Sequence, residues 1–127
     1  MKRDPDLVRE LLLGIEADPK FNGATVLDPS LVFGLSARNP EEISYHLGML
    51  IEDGYVNGKP ANRPGIYVVI GLTMKGHDYL DSIRDPAIWT KTKAGAEKAG
   101  GFTLALLGDI AKGFIKTKVK EQTGIDL

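Results

Sequence analysis

The 127 residues carry 16 Lys or Arg against 17 Asp or Glu, a net charge of −1, and no cysteine. A chain of this length is one ordinary domain, able to remove roughly two-thirds of its unfolded surface from water without covalent staples. The absence of thiols excludes a disulfide framework, a cysteine nucleophile and a cysteine-based zinc site, and the near-neutral charge denies the whole chain the basic footprint usual in nucleic-acid binders.

The opening "MKRDPDLVRELLLGIE" is interrupted by Glu10 and Glu16 at helical spacing, so it does not read as a signal peptide. No run approaches the ~20 apolar residues a membrane helix requires. A soluble, cytoplasmic protein with no membrane partner is therefore expected. The charge is uneven: residues 1–85 hold nine basic against thirteen acidic side chains, and residues 86–127 hold seven against four.

Asp4 and Pro5 announce a first helix, with Leu7, Val8, Leu11, Leu12 and Ile15 as its apolar stripe, ending by Asp18-Pro19. After it come a short strand near Thr25–Leu27 and a segment, 30–36, that can be read as a short helix or as extended chain. Asn39, Pro40 and Glu42 stand as N-cap, first-turn proline and capping-box acid of the clearest helix, whose inward side carries Ile43, Leu47, Leu50 and Ile51 before Gly54 stops it. Two β-prone runs, Tyr55–Asn57 and Ile66–Gly71, then make a hairpin whose long tip contains Lys59 and Arg63. Thr73 caps a further helix, with Gly76, His77, Leu80, Ile83 and Arg84 expected inward, and Asp85-Pro86 kinks it or caps a fresh one bearing Ile88 and Trp89. Past Gly95, Gly100 and Gly101, a last helix shows Leu104, Leu107, Ile110, Ala111, Phe114 and Ile115 on one side and Lys112, Lys116 and Lys120 on another.

Helix, strand, helix, hairpin, helix is the order of a winged helix-turn-helix domain. The expected fold class is thus mainly α (α+β): a winged helix-turn-helix domain over residues 1–85 with a small β-hairpin wing, and a C-terminal helical extension over 86–127 within the same compact unit. In this reading 30–36 supplies the second helix, and the final helix is a candidate dimerisation element, two-fold dimers being the commonest soluble assembly.

The blocks "MKRDPDLVRELLLGIE", "EEISYHLGMLIEDGYV" and "LTMKGHDYLDSIRDPAIWTKTK", in this order and spacing, resemble the bacterial and phage proteins grouped as domain of unknown function 2513, over roughly residues 1–125. The resemblance implies a small, winged-helix-like, prophage-associated protein and brings no catalytic residues with it. Pro5 departs from the apolar residue usual in that family, harmlessly for a helix start.

The block "LTMKGHDYLDSIRDPAIWTKTK" packs a His-Asp pair, an Arg-Asp pair and the only tryptophan close together. A metal-dependent phosphohydrolase needs more His and Asp ligands than this, and His46 is the only other histidine. A smaller site from His77, Asp81 and His46 is open to geometry, but a core histidine bonded to a backbone carbonyl is the simpler reading of His77. Asp85 reads as a helix cap, Arg84 as the partner of Asp81, and Trp89 as a large apolar anchor joining the extension to the domain. No nucleophile–base pair, metal-ligand set or phosphate-cradling glycine loop stands out, so no enzyme activity, cofactor or metal is expected.

The outward face of the 40–52 helix holds Glu41, Ser44, Tyr45, Gly48, Met49 and Glu52, poor chemistry for reading bases. The positions favour DNA nonetheless: Arg38 and Asn39 lie at the helix start, and Lys59 and Arg63 lie at the wing tip. With Lys2 and Arg3 there are enough cations for weak, salt-sensitive binding. Arg38, Asn39, Ser44, Tyr45, Lys59 and Arg63 are thus the candidate contacts to double-stranded DNA, and a regulatory or accessory role is expected. The alternative is an interaction module for a host or phage protein through Tyr45 and Met49, with Leu107 and Phe114 available for a homodimer.

Overall fold

The computed structural model describes residues 1–17, 25–27 and 38–127, the middle three by their backbone only. The segment 30–36 lies outside the described residues. In chain order the elements are α1 (Pro5–Ala17), β1 (Thr25–Leu27), α2 (Pro40–Glu52), β2 (Val56–Pro60), β3 (Tyr67–Leu72), α3 (Met74–Ile83), α4 (Pro86–Lys98) and α5 (Leu104–Thr123). The protein is mostly helical, with a small antiparallel sheet, hence α+β. Two compact units divide it, residues 1–77 and 78–127.

In the first unit, α1 starts where Asp4 Oδ1 accepts from the amides of Asp6 and Leu7 at 3.0 and 3.2 Å. Leu7, Val8, Leu11, Leu12 and Ile15 are all buried. Each such side chain stabilises by about 1.5–3 kcal/mol relative to its exposed state. α1 packs on α2 and on β3, and α2 packs on β2. Ile43, Leu47 and Leu50 supply the α2 share of this core, and Tyr55, Val56 and Val69 supply that of the β2–β3 segment.

The short strand at 25–27 does not stand alone. β1 and β2 both run antiparallel to β3, in the order β1-β3-β2. Thr25 sits opposite Val69 and Leu27 opposite Tyr67, while β2 runs from Val56 opposite Leu72 to Pro60 opposite Tyr67, with a bulge at Asn57/Gly58. The hairpin strands therefore start and end a residue or more later than the β-prone runs.

At the start of α3, the Thr73 hydroxyl donates to the Gly54 carbonyl at 2.5 Å and accepts from the Gly76 amide at 3.0 Å. Here the expected inward set needs correction. The buried residues of α3 include Gly76, Tyr79, Leu80 and Ile83, at i, i+3, i+4 and i+7, whereas His77 and Arg84 are exposed. Turning the stripe by about one residue brings the bulkier Tyr79 inside and leaves His77 to face water, its Nδ1 3.6 Å from Glu16 Oε2.

In the second unit, Asp85 caps α4 as anticipated, accepting from the amides of Ala87 and Ile88 at 2.8 and 3.1 Å. Those two amides hold its carboxyl below the usual aspartate range. Arg84 Nη2 meets Asp81 Oδ1 at 2.6 Å. Trp89 is buried, with Lys93 Nζ 5.5 Å from its ring centroid. α4 packs on α5, whose first turn is capped by Thr103 and whose end is closed by Gly124 at φ 74°. Among the described residues, no helix is long and apolar enough to cross a membrane.

Candidate nucleic-acid interface

α2 is the centre of the candidate site. Asn39 starts it, its side-chain oxygen accepting from the Glu41 amide at 2.8 Å, with Pro40 in the first turn. Arg38, just outside, is turned toward carboxylates: Asp4 at 2.5 Å, Glu10 at 3.4 Å and Glu42 at 3.7 Å. Its charge is spent on α1 and on the first turn of α2. The Asp4 hydrogen bond, foremost, keeps the guanidinium protonated even more firmly than usual. Glu42, read from the sequence as a capping-box acid, has its carboxylate toward Arg38.

Burial by itself would raise the Asp4 carboxyl, but the Arg38 hydrogen bond and the amides of Leu7 and Asp6 outweigh it, so the net shift is downward. A carboxyl whose value is lower folded than unfolded stabilises the fold above the ordinary aspartate value of 3.8. That contribution is lost as pH falls through the lowered value. Asp4→Asn keeps a capping oxygen and removes the charge. Its melting temperature should therefore be lower than wild type at pH 7, with the gap closing as the pH is brought below 3.8. A gap that stays constant with pH would show that the ion pair contributes nothing.

The outward face of α2 is narrower than the helical wheel indicates, because the hairpin folds back on it. Ser44 Oγ donates to the Gly65 carbonyl at 2.9 Å. A Cβ at Gly48 would stand 2.6 Å from the Tyr67 hydroxyl, so glycine here leaves room for the Tyr67 ring of β3 against α2. Ser44 and Gly48 are therefore the bed of the hairpin. What stays open is a ridge of Glu41, Tyr45 and Glu52, with Met49 half-buried beside them. Tyr45 is 44% exposed and meets the His46 ring edge-on at 5.9 Å between centroids.

Near the hairpin tip, Lys59, Pro60, Asn62, Arg63, Ile66 and Val68 line an open groove of about 590 Å³; Lys59, expected in the connection, lies instead in β2 opposite Val68, because that strand runs on to Pro60. Lys59 and Arg63 are exposed and form no ion pair among the described residues. The fold thus sets Ser44 of α2 against the hairpin that carries Lys59 and Arg63, leaves Tyr45 exposed on α2, spends the Asn39 side chain on capping that helix, and directs Arg38 to carboxylates. In the second unit, Leu107 is only 1% exposed and Phe114 is half-buried, while Lys112, Lys116 and Lys120 face solvent.

One residue that matters here stands out in the sequence only as a third ligand to a site at His77 and Asp81. His46 is fully buried, and both ring nitrogens are engaged: Nε2 accepts from the Asp4 amide at 2.8 Å, and Nδ1 donates to the Glu42 carbonyl at 2.7 Å. Neither nitrogen is left for a metal. The available hint was its place between Ile43 and Leu47 on the inward side of α2, which marks it as a core histidine.

A mostly helical α+β protein with a three-stranded sheet, a hairpin laid on its central helix and cations at the hairpin tip is the class that the fold defines. By sequence the chain belongs to the family described as "Hypothetical protein (DUF2513)", which it matches over residues 2–102. A Haemophilus influenzae protein described as "Uncharacterized protein" is 30% identical over 95 residues, covering 73% of this chain and 76% of the relative. No solved structure matches the chain. The family match ends ahead of α5, which begins at Leu104.

Proposed function

We propose that this chain is a winged-helix DNA-binding protein with a regulatory or accessory role, cytoplasmic, non-catalytic, and belonging to a phage or prophage setting. The observation that carries the reading is the order β1-β3-β2 combined with a hairpin laid along α2 whose tip end carries two exposed cations, Lys59 and Arg63, that form no ion pair among the described residues. In that fold α2 is the helix offered to the major groove and the hairpin is the wing beside it. Phosphate contacts supply most of the affinity, and the exposed ridge supplies little base readout, because its side chains are Glu, Tyr and Met rather than Arg, Asn or Gln.

The test is titration of the wild-type protein into labelled random-sequence duplex at low salt. Binding that weakens steeply with salt, and falls on the order of tenfold or more in Lys59→Glu/Arg63→Glu, is the expected result. No detectable binding at low ionic strength would overturn the DNA reading. It would favour the second reading, an interaction module that engages a protein through Tyr45 and Met49, for which the exposed Tyr45 ring, with Met49 half-buried beside it, is the supporting observation.

The homodimer belongs to the same proposal. α5 keeps Leu106 39% exposed and Ile110 and Phe114 half-buried along one side. Light scattering at micromolar concentration is expected to give twice the mass of one chain; the mass of a single chain would remove the dimer.

A further inference from the structure

The open ridge of α2 is bordered on both sides. Successive helical residues advance by 100°, so Glu41, Tyr45, Met49 and Glu52 share one face, Ser44 and Gly48 flank it on one side, and Glu42 and His46 flank it on the other. The Ser44–Gly48 flank is where the hairpin lies, with Arg63 two residues from the Gly65 carbonyl that Ser44 holds. The opposite flank is where the segment ahead of α1 arrives.

Three contacts hold Asp4 there. Its amide donates to His46 Nε2 at 2.8 Å, its Oδ1 caps α1, and its Oδ2 meets Arg38. Because the Arg3 carbonyl carbon is bonded to that same amide nitrogen at about 1.33 Å, it lies no more than about 4 Å from His46 Nε2. Lys2 and Arg3 are exposed and form no ion pair among the described residues. They leave the fold beside α2, across the ridge from Lys59 and Arg63.

We infer that Lys2 and Arg3 form a second phosphate-contacting element. α2 then lies in the major groove of a DNA duplex, with one cation pair on each of the two backbones that border it. The inference rests on the DNA-binding reading. The dimensions agree: a helix with its side chains is about 10–12 Å across and the major groove is about 12 Å wide, so groups on opposite flanks meet opposite strands. The charges agree as well. Glu41 and Glu52 sit on the ridge, where a carboxylate can accept from a cytosine amino group; Lys2, Arg3, Lys59 and Arg63 sit outside it, and on the Lys2–Arg3 flank the carboxylates of Asp4, Glu10 and Glu42 are turned to Arg38.

The experiment measures anisotropy of a labelled random-sequence duplex against salt for four proteins of the full chain: wild type, Lys2→Gln/Arg3→Gln, Lys59→Gln/Arg63→Gln, and Lys91→Gln/Lys98→Gln. All six substituted side chains are exposed, so unchanged melting temperatures are expected. The first two pairs should each weaken binding on the order of tenfold and flatten the slope of log K against log salt by about two, the value for two lost phosphate contacts. The Lys91/Lys98 pair, an equal change of net charge in the second unit, should leave both quantities as in wild type. If Lys2→Gln/Arg3→Gln binds like wild type while Lys59→Gln/Arg63→Gln is weakened, the second element is overturned and the DNA reading stands. Equal weakening by all three pairs reduces the effect to net charge and also overturns it. Absence of binding by the wild-type protein overturns the inference together with the reading beneath it.

Discussion

Gly76→Ala is expected to cost about 3 kcal/mol, the upper end of overpacking effects. It should lower the melting temperature by roughly 12 °C for a chain of this size. On helix propensity alone the substitution should help, since alanine is favoured over glycine by ~1 kcal/mol in a helix. Contact decides the sign. A Cβ at Gly76 would stand 2.0 Å from the Tyr55 carbonyl oxygen and 3.0 Å from its carbon, and a main-chain group cannot swing aside as a flexible side chain can. Nor can α3 retreat freely. The Thr73 amide donates to that same Tyr55 carbonyl at 3.1 Å, and the Thr73 hydroxyl is bonded to Gly54, so moving the helix away breaks both bonds. Gly113→Ala is the control. It lies within α5 with nothing inside 4 Å of the added carbon, and it should stabilise by roughly 0.5–1 kcal/mol. Thermal melts in which both variants move in the same direction would contradict the close approach of α3 to the turn after α2.

These two glycines also mark the boundary of what a sequence can convey. Both sit in helical patterns, and nothing local separates them; the difference is a carbonyl twenty-one residues earlier in the chain. The helix starts were legible because their causes are local. Asp4-Pro5, Asn39-Pro40 and Asp85-Pro86 each place a capping oxygen within three residues of the amides it serves. The β-hairpin and the strand at 25–27 were legible as β-prone runs between turn residues, whereas their shared sheet required knowing that β3 has a partner on each edge. The candidate site was less legible. A helical wheel shows that Ser44 and Gly48 lie near the outward face but not that a hairpin covers them. It shows Arg38 at a helix start but not the carboxylates of Asp4, which caps α1, and Glu10, which lies within it. His77 and Tyr79 exchanged roles for the same reason: which side of a short helix is buried depends on what packs against it.

His46→Leu should destabilise the fold by about 2 kcal/mol even though leucine is apolar, of similar bulk and a better helix former. The ring is fully buried and acts through its polar atoms. The Asp4 amide can only donate, so Nε2 must accept and the ring proton must lie on Nδ1, directed at the Glu42 carbonyl 2.7 Å away. Leucine removes both bonds, and their losses differ. The Glu42 carbonyl keeps its ordinary helix bond to the amide four residues on, but the Asp4 amide has no such substitute. An unmade donor costs about 1–3 kcal/mol when buried, and for this part-buried amide the lost bond still outweighs what the added apolar surface returns. The measured signs should be a melting temperature lower by roughly 8 °C and faster hydrogen exchange at the Asp4 amide. His46→Gln can offer its amide oxygen to Asp4 and its amino group to Glu42, and should recover most of both. If His46→Leu melts with wild type and leaves Asp4 exchange unchanged, the bond that ties α1 to α2 is not part of the folded state. The placement of Lys2 and Arg3 beside the central helix would then lose its anchor, since that bond is what fixes where the segment ahead of α1 meets the fold.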